Sequence, residues 1–282
     1  MIKIKKQKEN FWQKLNIPSI LWSMILFALI IGLYWAISYW RHIDNPQDKI
    51  MPSFTQISQG IKFSLSTDET GQIPLLIDTY YSLSRLFIGL FFSLLISLTL
   101  GICMGFFKVF NKIFNKFITY FGKIPPLALL PILFIITGLG ESTKILLIII
   151  GLTPVLTLNV YMKIKNLPPE HFVKAITLGS KPLNTIKHII LPQILPSVLN
   201  SLRINLLSAW MFLIAAESIS AQAGLGYRIF LVRRYLAMDI IIPYVLWIAL
   251  ISFFLDISLK ILIKNKYPWF NPHNHYVKEN SK

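Results

Sequence analysis

Apolar residues in this chain gather into long runs instead of alternating with polar ones. Six runs approach the ~20 residues that a helix needs to cross the hydrocarbon core of a bilayer. Residues 20–40 and 86–107 are uninterrupted. Residues 117–138 hold Lys123 with Pro125, Pro126 and Pro131, so this helix is predicted to be irregular, its freed backbone groups satisfied by neighbours. Residues 145–162 contain Pro154, residues 198–220 run from near Arg203 to Glu217, and residues 240–263 carry Asp256 and Lys260 towards their end. Between the first two runs, the mixed segment 41–78 is expected to form a short interfacial or periplasm-facing helix. Gly101 and Gly105, one small-xxx-small step apart, let another helix backbone approach the second run closely.

Composition agrees with a membrane protein. Of 282 residues, 54% are hydrophobic and 14% charged, where soluble domains carry about a quarter charged. The formal net charge of +16 would suit a nucleic-acid binder, but the lysines and arginines sit in short clusters between apolar runs, as cytoplasmic loops collect them. Nucleic acid is therefore excluded as a partner. Counted on alternate sides of six spans, 20 fall on one side and 8 on the other, which places both termini in the cytoplasm. Arg41, Lys49, Lys62, Arg85, Lys144, Arg228, Arg233 and Arg234 flank the outer loops. Lys3, Lys5, Lys6 and Lys8 resemble the start of a signal peptide, but the apolar run after them is too long and bulky and lacks a small-residue cleavage pattern, so it is read as a retained helix. Cys103, the sole cysteine, has neither a disulfide partner nor metal-ligand spacing around it.

The loop 166–201 is not the polar, flexible connection expected between two spans. Pro168 and Pro169 suit a helix start, because a first-turn proline loses no intrahelical bond. Phe172, Ala175 or Ile176, and Gly179 then recur at helical spacing. Pro182 disfavours helix at Lys181, so a second short helix with Leu183, Ile186 and Ile190 on its apolar face is predicted to begin there. Two short amphipathic helices should thus meet at Gly179, with Pro192 and Pro196 leading back into the bilayer. Apolar residues beside Lys174, Lys181 and Lys187 make a surface for a protein partner, or one that lies on the membrane.

Gly179, nine residues, then Ile189-x-Leu191-Pro192 and Pro196 resemble the EAA loop of ATP-binding-cassette importer permeases, whose pattern ends G-x9-I-x-L-P. The triplet positions hold Val173, Lys174 and Ala175, so only the last alanine matches, with Glu170 preceding them. The stretches Ile124-Pro-Pro-Leu-Ala-Leu-Leu-Pro131, Gly138-Leu-Gly-Glu-Ser-Thr-Lys144, Ala216-Glu217, and Gly224-Leu-Gly-Tyr227 through Met238-Asp239 resemble the nitrate, sulfonate and taurine branch of that family. The resemblance implies an all-α polytopic membrane protein of the type I importer transmembrane fold, with about six membrane helices and cytoplasmic coupling helices. It covers a permease core over 78–264 with its coupling loop at 163–201, and leaves outside it an N-terminal tail, first helix and outer loop over 1–77 and a cytoplasmic tail over 265–282. It further implies a bacterial cytoplasmic (inner) membrane, ATPase subunits that dock on Glu170, Ala175, Gly179, Ile189, Leu191, Pro192 and Pro196, an extracytoplasmic solute-binding protein, and a second permease copy making a homodimer. Pro126, Pro131 and Glu217 are expected at the translocation pathway or its gate.

No phosphate-cradling Gly-x4-Gly-Lys-Ser/Thr loop is present, since Gly122-Lys123 is followed by isoleucine. ATP and Mg therefore belong to a partner chain, and this chain is expected to bind no cofactor. An ion-coupled secondary transporter stays open on Glu217, because ionisable groups inside membranes often mark ion paths; the same residue could instead snorkel or pair with an arginine such as Arg228. A membrane enzyme finds less support. His42, His171, His188, His273 and His275 fall on both sides of the membrane without zinc-like spacing, and there is no nucleophile elbow.

Overall fold

A computed structural model describes residues 19–270 except 46–47 and 68–70. Lys3, Lys5, Lys6, Lys8, His273 and His275 lie outside the described residues. Those described form helices and turns, with no strand among them.

Four continuous helices are long and apolar enough to cross a membrane: α1 (Ser19–Asp44), α3 (Pro74–Phe106), α6 (Glu141–Lys165) and α12 (Met238–Lys266). Two bent pairs bring the number of spans to as many as six. In the first, α4 (Lys108–Phe121) meets Pro126–Thr137, a 3-10 turn followed by α5 (Leu130–Thr137), at 86°. In the second, Pro182–Ile204 meets α10 (Leu206–Ser220) at 45°. The irregularity expected of the third run is thus a near right angle, and its first arm reaches back to Lys108, into residues read as loop. Pro125 and Pro126 have no amide hydrogens to continue an α-helix across the bend. The second run also starts earlier than its apolar stretch, at Pro74, so Asp78 lies in the first turns of a helix.

Close packing of α3 on α6 organises the rest. A Cβ placed on Gly89, Gly101 or Gly105 would lie 2.8, 2.5 and 2.8 Å from side-chain atoms of Ile148, Val160 and Ile164 respectively. The small-residue pair read from the sequence therefore serves this helix pair. All three contacts keep the same sequence offset, so α3 and α6 run parallel, and the chain between them must return along the bundle. It does so obliquely: Ile118 packs with Met104 and Tyr161 near the ends of α3 and α6, whereas Gly122 comes within 3.1 Å of Pro154, halfway along α6, counted from the Cβ it lacks. The larger core joins α3, α6, α10 and α12 through Leu86, Leu152, Leu213 and Tyr244, with Leu225 closing it.

The expected short helix after the first span is α2 (Phe54–Leu65), opened by a capping box between Ser53 and Gln56. It packs on α12 so closely that Gly60 has no room for a side chain against the Asp239 backbone. The helix α1 is held near its end by Tyr34 Oη donating to the Pro52 carbonyl at 2.7 Å and by the Arg41–Asp48 ion pair; most of its apolar surface is uncovered.

Candidate functional site

Two places concentrate features that packing alone does not require, at opposite ends of the bundle. One is the loop singled out by sequence. Its first helix, α7 (Pro169–Thr177), starts at the expected proline, with exposed Glu170 in the first turn, where a carboxylate suits the helix dipole. Ala175 is buried and Phe172 packs against the cluster formed by Val160, Ile164, Ile190, Ile194 and Val198. The helix closes with the Ser180 amide donating to the Ala175 carbonyl at 3.0 Å while Gly179 takes φ +67°, a Schellman ending that favours glycine. Nothing lies within 4 Å of a Cβ built at Gly179, so its requirement within this chain is conformational and not steric.

The second helix of the loop differs from the expectation. It is not a short element ending before the membrane: α8 (Pro182–Thr185) continues through a π turn at Ile186–Ile190 into α9 (Leu191–Ile204). The Leu191 amide reaches back to the Ile186 carbonyl. That wide turn carries the helix past Pro192, which sits in the first turn of α9, and buried Pro196 lies inside α9 itself. Ile189 and Leu191 are half-buried, Pro192 is exposed, and Ile190 is fully buried. The loop is therefore anchored on one side. On the other, Val173, Leu178 and Leu183 are 61, 85 and 78% exposed, beside exposed Lys174, Lys181 and Lys187.

The other place is a knot of buried charge at the Pro74 end of α3. Asp78, Ser82 and Arg85 share one face of that helix by their spacing. Asp78, fully buried, accepts hydrogen bonds from the Gly224 amide at 2.9 Å, Arg228 Nε at 2.8 Å and Tyr244 Oη at 3.1 Å. Glu217, also fully buried, accepts from Ser82 Oγ at 2.8 Å, Arg85 Nη1 at 2.7 Å and the Gly226 amide at 2.8 Å. Ser82 Oγ in turn accepts from the Leu225 amide at 2.8 Å. The remaining donors of Arg85 engage Glu141 and the Ala223 carbonyl, and Lys144 Nζ lies 2.7 Å from Glu141 Oε1. The first amides of α11 (Leu225–Arg233) thus point at two carboxylates, where the helix dipole favours negative charge. Gly224 makes this possible: its φ is +139°, and a Cβ there would stand 2.6 Å from Glu217 Oε1.

These contacts correct the pairing expected for Glu217. Its partner is Arg85, while Arg228 serves Asp78, because the fold brings α3 between the two. Glu217 is sealed and charge-compensated, a poor position for a proton carrier that must meet water. Lys144, read as flanking an outer loop, lies in the first turn of α6 and is buried there. Of the two prolines assigned to a pathway, Pro126 is half-buried in the 3-10 turn and Pro131 exposed on α5. Asp78, Ser82, Arg85 and Glu141 were not singled out as site residues; polar groups at i, i+4 and i+7 on an otherwise apolar helix were the available signal. No group of three or more potential metal ligands occurs among the described residues.

Residues 72–266 match the family described as binding-protein-dependent transport system inner membrane component. The taurine transport system permease protein TauC of Escherichia coli K12 is 34% identical over 152 residues, covering 54% of this chain and 55% of TauC. SsuC of the same organism, described as an aliphatic sulfonates transport permease, is 32% identical over 153 residues, covering 54% of this chain and 58% of SsuC. The match thus spans little more than half the length of these relatives. A chain from inward-facing structures of the MetNI methionine ABC transporter gives a TM-score of 0.61 at 18% identity, covering 70% of this chain and 98% of that one, a likeness of fold alone. With the match running from just before α3 to the end of α12, the chain belongs to the binding-protein-dependent transport system inner membrane component family, with the type I importer fold, and is similar to taurine and aliphatic sulfonate permeases.

Proposed function

We infer that this chain is the membrane-spanning permease subunit of an ATP-binding-cassette importer that brings sulfonate, taurine, nitrate or a similar small solute into the cytoplasm. The observation that carries this reading is the 163–201 loop, fixed to the bundle through Phe172 and Ala175 yet leaving Val173, Leu178 and Leu183 uncovered. A self-sufficient carrier has no use for a rigid apolar platform outside the membrane; an importer needs one to receive motion from an ATPase. Glu170, Ala175, Gly179, Ile189, Leu191, Pro192 and Pro196 shape that platform or the helix leaving it. The helix continues through α9 and, bent by 45°, into α10, which carries Glu217 in the charged knot. Displacement of the loop would therefore be passed along one rod to the far end of the bundle. In this reading 78–264 is the working core, flanked by 1–77 and 265–282. A second copy completes a homodimer, ATPase subunits hold ATP and Mg, and an extracytoplasmic binding protein delivers solute.

In proteoliposomes with ATPase and binding protein, uptake of taurine, ethanesulfonate or nitrate should require ATP on the loop side and survive collapse of proton and sodium gradients. Gradient-driven uptake by the permease alone would overturn the reading. Orientation in the inner membrane, termini inside, is tested in a Cys103→Ser background: Ser66→Cys should react with an impermeant thiol reagent from outside and Ser180→Cys should not. Equal labelling in intact cells would contradict it.

A further inference from the structure

The chain holds a stripe of cations that its import reading has not used. Lys108, Lys112 and Lys116 stand at i, i+4 and i+8 on α4, one face by helical geometry, and Lys123 follows at the break below Pro125. All four are exposed on the chain, and no aspartate or glutamate occurs from residue 107 to 140. None of the four has a carboxylate partner among the described residues. Their depth comes from the packing of α4: Phe117 and Phe121 line a crevice with Thr153, Pro154 and Thr157, and Gly122 abuts Pro154, midway along α6. Lys123 thus sits at about the middle of the bundle, while Lys108, Lys112 and Lys116 precede Ile118, which packs near the loop ends of α3 and α6, and so mark the loop end of the same face.

At the depth of Lys123 a lysine is costly against hydrocarbon and faces protein or water instead. Like charges at four-residue spacing also repel, so a stripe of them calls for water or an anion alongside. One flank of the stripe is polar, Asn115 Nδ2 donating to Asn111 Oδ1 at 2.9 Å and Thr119 to Asn115; the other carries the exposed ring of Phe117, and the exposed Tyr120, four residues past Lys116, continues the stripe itself, Lys123 Nζ standing 5.5 Å from its ring centroid.

We propose that Lys108, Lys112, Lys116 and Lys123 line the inner half of a water-filled solute pathway and make it a conduit for small oxyanions, sulfonates and nitrate among them. This rests on the import reading and on termini inside. Clefts lined by one sign of charge raise the local concentration of counter-ions by about tenfold or more, which biases passage before any specific site is built.

The test reads electrostatic potential without needing the solute. In a Cys103→Ser background, Tyr120→Cys is treated from the cytoplasmic face with an anionic and a cationic methanethiosulfonate of similar size. The ratio of anionic to cationic reaction rate should fall about tenfold on adding Lys112→Gln with Lys116→Gln, and stay unchanged with Lys112→Arg and Lys116→Arg. The doubly neutralised variant, with ATPase and binding protein, should also slow ATP-driven nitrate uptake about tenfold. A cysteine unreactive with both reagents, reactive only from outside, or with a ratio indifferent to the substitutions would overturn the proposal and leave ATP-driven import standing. A responsive ratio with uptake that ignores ATP would keep the cationic conduit and reject the importer.

Discussion

The charged knot at one end of the bundle and the loop at the other are both held rigid, by opposite means. Around Arg85 every formal charge meets a partner within the chain, and the backbone amides of Gly224, Leu225 and Gly226 complete the set. Around Gly179 the order comes from a backbone turn and buried anchors, and the outward side chains Val173, Leu178 and Leu183 are mostly exposed. A region whose polar groups are all satisfied has finished its folding. In the function proposed above, the loop's uncovered apolar side chains are kept for a partner outside the chain. Substitutions should therefore split: those in the knot should cost stability, and those in the loop should cost association.

The largest effect is expected from Arg85→Ala, which leaves Glu217 buried without its cation. Removing one partner of a buried pair costs about 3–5 kcal/mol, to be read as a large drop in the temperature at which the detergent-solubilised permease loses its monodisperse elution. Arg85→Met combined with Glu217→Met should recover only part of the loss, because Ser82 and the Gly226 amide would still lack an acceptor. Full recovery would mean that the knot is a simple ion pair.

Gly224→Ala comes next, at about 1–3 kcal/mol for a side chain forced into that backbone region, with the carboxylate of Glu217 pushed aside as well. If its thermal stability equals that of the parent, the close approach of α11 to Glu217 is wrong. The corresponding glycine of the loop should behave differently. Gly179→Asp carries a left-handed penalty of about 1–2 kcal/mol, so the permease should still insert and purify, but it should release the ATPase from isolated membranes. Retention of the ATPase with persistent transport would remove the docking role from this turn.

The smallest change in stability is expected from Leu183→Gln, within about 0.5 kcal/mol for an exposed site. ATPase recovery should nevertheless fall about tenfold, the order expected from losing one buried apolar contact. A Leu183→Gln protein that binds ATPase normally but melts early would reverse the comparison between the two regions.

Element type and the loop were legible because they are local. A run of some twenty apolar residues is a property of consecutive positions, and so are the proline at a first turn, the glycine that closes α7, and the G-x9-I-x-L-P spacing. Even the small-residue pair at Gly101 and Gly105 announced a close helix approach, though not that α6 would be the neighbour. The knot was not legible. Its partners stand far apart in sequence, Asp78 with Arg228 and Arg85 with Glu217, and nothing local distinguishes Arg85 from Arg228 as the cation for Glu217. Only the parallel packing of α3 on α6, with α10 and α11 closing over them, decides which charge meets which. The oblique climb of α4 was hidden for the same reason: a lysine every four residues reads as a solvated face until tertiary packing fixes how deep it sits. Sequence thus determined what each segment could become, since helix formation answers to neighbours within a few residues, whereas burial and ion pairing answer to the packing of distant ones.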